Sequence, residues 1–156
     1  MRNHISRFLV VIAAVCAVFI LNADGQAQRR GRGRAYTKED VNQLIRRVEN
    51  RSDEFVQVFD RALDRSRLDG RNREDRLNER ARDLETALDN LRREFDRRER
   101  YADTRPEVAR ALNVAEGINQ VMRRRRMGGD AERQWNMLRA ELNALAIVYN
   151  IRPLRS

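Results

Sequence analysis

The stretch LNERARDLETALDNLRREF, residues 77–95, places Leu77, Ala81, Leu84, Leu88, Leu91 and Phe95 at alternating steps of four and three. A helix advances about 3.6 residues per turn, so this rhythm holds one narrow apolar stripe against a partner while Arg, Asp and Glu take the other positions. Three further stretches repeat it. They run through Val41, Ile45, Val48, Ser52, Phe55, Phe59, Ala62 and Ser66; through Val108, Ala111, Ala115, Ile118 and Met122; and through Ala131, Trp135, Leu138, Leu142, Leu145 and Tyr149. No segment alternates with period two for long enough to read as a strand, so the ladders predict an all-α fold.

The breaks between ladders are short. Thr37 followed by Asp40 is a variant of the capping box and starts the first helix. Leu68-Asp69-Gly70-Arg71-Asn72 interrupts it, with Gly70 suited to a left-handed stop and Asn72 to a cap. Tyr101 to Arg105 form the next turn, and Pro106 falls in the first turn of the third helix, where proline is tolerated. Gly128-Gly129 ends that helix, Asp130 caps the fourth, and Pro153 lies beyond it. Short connections favour antiparallel neighbours, hence an up-down-up-down four-helix bundle. At about 1.5 Å per residue the first two helices are near 43 to 45 Å and the last two nearer 30 Å, which makes the first helical hairpin long and projecting. From Arg61 to Arg80 the large aliphatic residues are only Leu63, Leu68 and Leu77, so the tip should be solvated and rich in charge.

Of the 156 residues, the first 27 read as a signal peptide. Arg2 and Arg7 precede an unbroken apolar run, Phe8 to Leu21, and Gly25 and Ala27 are small residues where a signal peptidase reads. The run is 14 residues, short of the roughly 20 needed to span a bilayer. The alternative is a membrane anchor formed by residues 8–21, since Arg29, Arg30, Arg32 and Arg34 follow the run and positive charge tends to stay on the cytoplasmic side. The organisation expected is a signal peptide, 1–27; a disordered Arg/Gly-rich leader, 28–36; the bundle, 37–151; and a C-terminal tail, 152–156. Location would be periplasmic or secreted.

Cleavage after Ala27 would remove the only cysteine, Cys16, and the only histidine, His4. The remaining chain then offers no thiolate or imidazole, which excludes disulfides, c-type haem and the Glu-x-x-His pairs of di-iron bundles. Its serines, Ser52, Ser66 and Ser156, have no histidine base. Carboxylates are spread among arginines at helix-pairing distances, such as Glu94 with Arg98, and no EF-hand loop occurs. We expect no catalytic residues, no metal, no cofactor and no small-molecule substrate.

Arginine is the conspicuous excess. Of 33 basic residues only Lys38 is lysine, and residues 28–156 hold 31 basic against 23 acidic side chains. Arginine forks bind phosphate and carboxylate, and a basic surface recruits polyanions. Arg123, Arg124, Arg125 and Arg126 have no acid within three positions on either side. They sit at a helix C-terminus, whose dipole favours cations. In the expected topology they share a pole with Arg65, Arg67, Arg71 and Arg73, and these eight are the candidate anion-binding residues. Export would disfavour nucleic acid as the partner and leave an anionic envelope component or a protein.

The strings DRSRLDGRNREDRLN, residues 64–78, and WNMLRAELNALAIVYNI, residues 135–151, resemble secreted, arginine-rich helical proteins of soil bacteria such as acidobacteria, for which no activity is established. That resemblance implies export and a helical fold. A weaker one is to periplasmic chaperones of the Spy and CpxP type, whose LTxxQ motifs are absent; Tyr36-Thr37-Lys38-Glu39-Asp40 is a distant echo. The function expected is therefore an exported, non-enzymatic bundle with a binding or structural role at the cell envelope, the alternatives being a Spy/CpxP-like chaperone and a polyanion binder.

Overall fold

The structure, a computed structural model, describes residues 35–64, 72–124 and 127–155. Its helices are α1 (Lys38–Asp64), α2 (Asn72–Arg97), α3 (Arg105–Arg124) and α4 (Gly129–Val148), with a 3₁₀ turn at Tyr101–Thr104 between α2 and α3. The four pack antiparallel, α1 against α4 and α2, and α2 against α3, while α3 and α4 touch each other less closely. Residues from Tyr36 onward form one compact unit. The signal peptide, most of the leader, Ser66, Leu68, Gly70 and the arginines at 65, 67, 71, 125 and 126 lie outside the described residues, as does the side chain of Arg73.

Each ladder is the buried face of its helix. Val41, Ile45, Val48, Phe55 and Phe59 of α1 meet Leu84, Leu88, Leu91 and Phe95 of α2, Val108, Ala111, Ala115 and Ile118 of α3, and Trp135, Leu138, Leu142 and Leu145 of α4 in a single core. The stripes are wider than the strict rhythm, because Leu44, Leu63, Ala87, Leu112 and Ala146 are also buried. A helix touching two neighbours must cover more than one seam. Phe55 stacks on Phe59 at 4.9 Å between ring centroids and tilts against Trp135 at 5.2 Å. The Ser52 hydroxyl, 1% exposed, has no hydrogen-bond partner among the described residues.

The ends follow local chemistry. Thr37 and Asp40 form the reciprocal cap, with the Asp40 N–H donating to Thr37 Oγ1 at 3.1 Å and the Thr37 N–H to Asp40 Oδ2 at 2.9 Å. The one lysine, Lys38, donates from Nζ to the Arg98 carbonyl at 2.6 Å and lies over the Phe95 ring, tying the start of α1 to the end of α2. Asp130 does not cap α4. Gly128, at φ 93°, makes the turn by itself and the helix begins at Gly129 rather than at Ala131, where an Asp130 cap would start it, so that Asp130 stands inside the first turn and pairs with Arg133. Its carboxylate still favours the positive end of the dipole. Gly117 marks no close helix approach, since a Cβ there would meet only the Arg80 side chain, at 3.8 Å.

Helix α2 has 26 residues and α3 has 20, a difference of about 9 Å, so α2 extends past the last turn of α3. The base of this hairpin is not fully solvated, however. Leu63 is 0% exposed, and Ala62 and Leu77 pack partly buried against the core. Leu63, which lies off the ladder, is covered because neighbouring helices reach that level.

Candidate functional site

The arginine pole is built by the end of α3. Arg123 and Arg124 occupy its last turn and are exposed, and among the described residues neither forms an ion pair. The antiparallel order puts this turn at the same end of the bundle as Asp64 and Asn72, so the topology brings the hairpin and the end of α3 to one pole. Beside it, on the α3–α4 face, lies a hollow of about 150 Å³ lined by Asn119, Arg123, Glu132, Trp135, Asn136 and Arg139. It presents guanidinium and carboxamide donors beside one carboxylate.

The other charges are arranged to hold helices. Arg92 of α2 grips Glu49 of α1 with two donors, Nε to Oε1 at 3.0 Å and Nη2 to Oε2 at 2.7 Å, and donates from Nη1 to Asn42 Oδ1 at 2.7 Å. This half-buried fork raises the Arg92 pKa, chiefly through the Glu49 hydrogen bond. Arg47 reaches Glu141 of α4 at 3.1 Å. Within helices, Arg51 pairs with Glu54, and Arg97 and Arg98 with Glu94, at the expected i,i+3 and i,i+4 spacings.

Next to the Arg92 fork, Asp53 of α1 faces Asp89 and Glu85 of α2. The Asp53 carboxyl is pushed above its usual 3.8 by burial first and then by Asp89 and Glu49. Glu85 is pushed above 4.5 by burial, Asp53 and Asp89, with Arg82 opposing. Among the described residues no group of three or more His, Cys, Asp or Glu side chains could hold a metal ion, so the acidic face is a repulsion that the packing tolerates. A carboxyl raised in the folded state contributes stability that is complete below its unfolded pKa and lost as pH rises through the folded value. Stability attributable to Asp53 and Glu85 should therefore grow as pH falls from 7 toward 4. Asp53→Asn should raise the melting temperature at pH 7 and shrink that acid gain, by about 0.5 kcal/mol or less because the Asp53 side chain is largely exposed to screening solvent. Melting curves at pH 7 and 5 check this, and a variant less stable at pH 7 would contradict it.

Buried polar groups close the remaining interior. Thr104 Oγ1 meets the Tyr149 hydroxyl at 2.9 Å. Burial pushes the Tyr149 pKa up, partly offset by that hydrogen bond. Asn119, 0% exposed, accepts the indole N–H of Trp135 at 3.2 Å and donates to the Arg155 carbonyl at 2.9 Å. Asn143 meets Leu154 through both main-chain groups, so residues 152–155, expected as a tail, are fastened to the bundle. Asn119 and Asn143 belong to no motif or ladder in the sequence. Their available signal was asparagine inside a helix directly after a ladder residue, Ile118 or Leu142, where its propensity is poor and only a specific hydrogen bond offsets it.

Among the described residues no helix is long and apolar enough to cross a membrane. No family model, curated protein or solved structure matches this chain.

Proposed function

We propose that this is an exported, non-enzymatic helical bundle that acts by binding at the cell envelope. The observation that carries the reading is where the polar chemistry goes. Inside, Thr104 and Asn119 are bonded to Tyr149, Trp135 and Arg155, and the Ser52 hydroxyl is left without a partner among the described residues; outside, the described residues carry basic and acidic side chains in equal number, with Arg123 and Arg124 exposed in the last turn of α3. Such a molecule offers recognition rather than reaction. Export rests on residues 1–27 and agrees with the resemblance to secreted arginine-rich helical proteins. The test is fractionation of producing cells with intact-mass analysis. The protein should lie outside the cytoplasm and begin at Gln28, and an intact Met1 in the membrane fraction would overturn export.

A second reading, polyanion binding, is favoured by the exposed Arg123 and Arg124 at the end of α3, of which Arg123 shares the α3–α4 hollow with Arg139. Contacts to a polyanion weaken steeply with salt because counterions are released. Changing Arg123, Arg124, Arg125 and Arg126 together to Gln should lower the salt needed to elute the protein from heparin while leaving its melting curve in place. Equal retention would leave only the dipole role for these arginines.

A further inference from the structure

After α4 the chain stops and doubles back. Asn150 adopts φ 51°, its N–H reaching the Ile147 carbonyl at 3.1 Å, and the Ile151 N–H reaches the Ala146 carbonyl at 2.8 Å. This is a left-handed helix stop of the Schellman type, with asparagine in the place glycine usually takes. The segment from Ile151 to Arg155 then returns along α4 toward Arg139. Asn143 is about 9 Å of helix back from Tyr149, and Ile151 to Arg155 form no helix or turn, so the segment runs back along α4 in an open conformation.

It is held by its backbone. Asn143 Nδ2 donates to the Leu154 carbonyl at 3.2 Å while Asn143 Oδ1 accepts the Leu154 N–H at 2.8 Å. The Arg155 carbonyl accepts from Asn119 Nδ2 at 2.9 Å and from Arg139 Nη1 at 3.3 Å. Leu154, 7% exposed, is the one buried side chain between Arg152 and Arg155. Toward α3 the fit is loose, with a cavity of about 350 Å³ between the segment and Ala109, Leu112, Asn113 and Glu116.

A carboxamide that donates to and accepts from one residue's main chain reads an extended peptide without regard to its sequence, as an added strand is read at a sheet edge. Selectivity would come from the leucine pocket and from Pro153, which lacks an N–H and holds the preceding residue extended. We infer that the α3–α4 face is a peptide-binding groove, occupied in cis by residues 151–155, and that it takes from another chain an extended segment in which proline precedes an aliphatic anchor. Asn119 and Arg139, which hold the Arg155 carbonyl, also line the hollow beside Arg123, and nothing in the groove requires export. One anchor and a few hydrogen bonds let the segment open far more readily than the bundle unfolds. Its tether, worth an effective concentration of order millimolar for a short flexible link, keeps the groove closed until a competitor arrives.

The test is a fluorescence-polarisation titration of a labelled synthetic peptide, Tyr149 to Ser156 of this sequence, with the full-length protein. Leu154→Asp, which releases the resident segment, should bind at least tenfold more tightly than wild type, and adding Asn143→Ala should reverse most of that gain. Equal affinity of wild type and a folded Leu154→Asp would overturn the proposal, as would full retention of binding after Asn143→Ala. Wild-type protein gives a second reading that needs no variant. Millimolar unlabelled peptide should speed hydrogen exchange of the Leu154 amide severalfold, and an unchanged rate would equally overturn it.

Discussion

Leu142→Ala, and separately Leu88→Ala, should each cost about 2 to 5 kcal/mol of unfolding free energy. Both side chains are at most 1% exposed, near the middle of their helices, where the surrounding ladders cannot collapse into the space. Domains of this size are stable by only about 5 to 15 kcal/mol, so either change should lower the melting temperature by many degrees. Urea titration with an unchanged slope would assign the loss to stability rather than to a new denatured state. A loss below about 1 kcal/mol at both positions would mean that these faces do not form the core.

Asn119→Leu should be the most damaging polar change. It leaves the indole N–H of Trp135, in a side chain 2% exposed, without the acceptor that Asn119 Oδ1 supplies at 3.2 Å, and it removes a donor to the Arg155 carbonyl. Stranding a buried donor costs about 1 to 3 kcal/mol, although leucine is the more hydrophobic residue. Asn143→Ala touches only Leu154 and should cost less. The same urea titration checks the order, and an Asn119→Leu protein as stable as wild type would show that the interior network does not bear on the fold.

The helices were legible because their information is periodic. Val108, Ala111, Ala115, Ile118 and Met122 were read from the sequence as one face, and all are buried. The Thr37–Asp40 cap and the Glu94–Arg98 pair were legible for the same reason, being set by residues three and four apart. Leu112 and Ala146 escaped because their burial depends on a second neighbouring helix, and the Arg92–Glu49 fork because it depends on the register between α1 and α2. Asp130 misled because Asp at a helix start is a good cap, but Gly128 at positive φ outweighed it. Leu154 carries no period at all. A single anchor after proline in an extended segment looks like a tail until the Asn119 and Asn143 side chains are placed beside it. Of the arginine cluster, the exposure of Arg123 and Arg124 at a helix end was legible, whereas the hollow beside them needs α4 in place.

The only tryptophan, Trp135, joins the elements on which the account depends: it sits on α4, its ring lies 5.2 Å from that of Phe55 on α1, and its N–H is bonded to Asn119 on α3. The most direct measurement is the nuclear Overhauser spectrum of its indole proton. One slowly exchanging indole resonance is expected, with cross-peaks to the Phe55 ring and to the Asn119 side-chain amide. A rapidly exchanging indole without these cross-peaks would contradict the bundle.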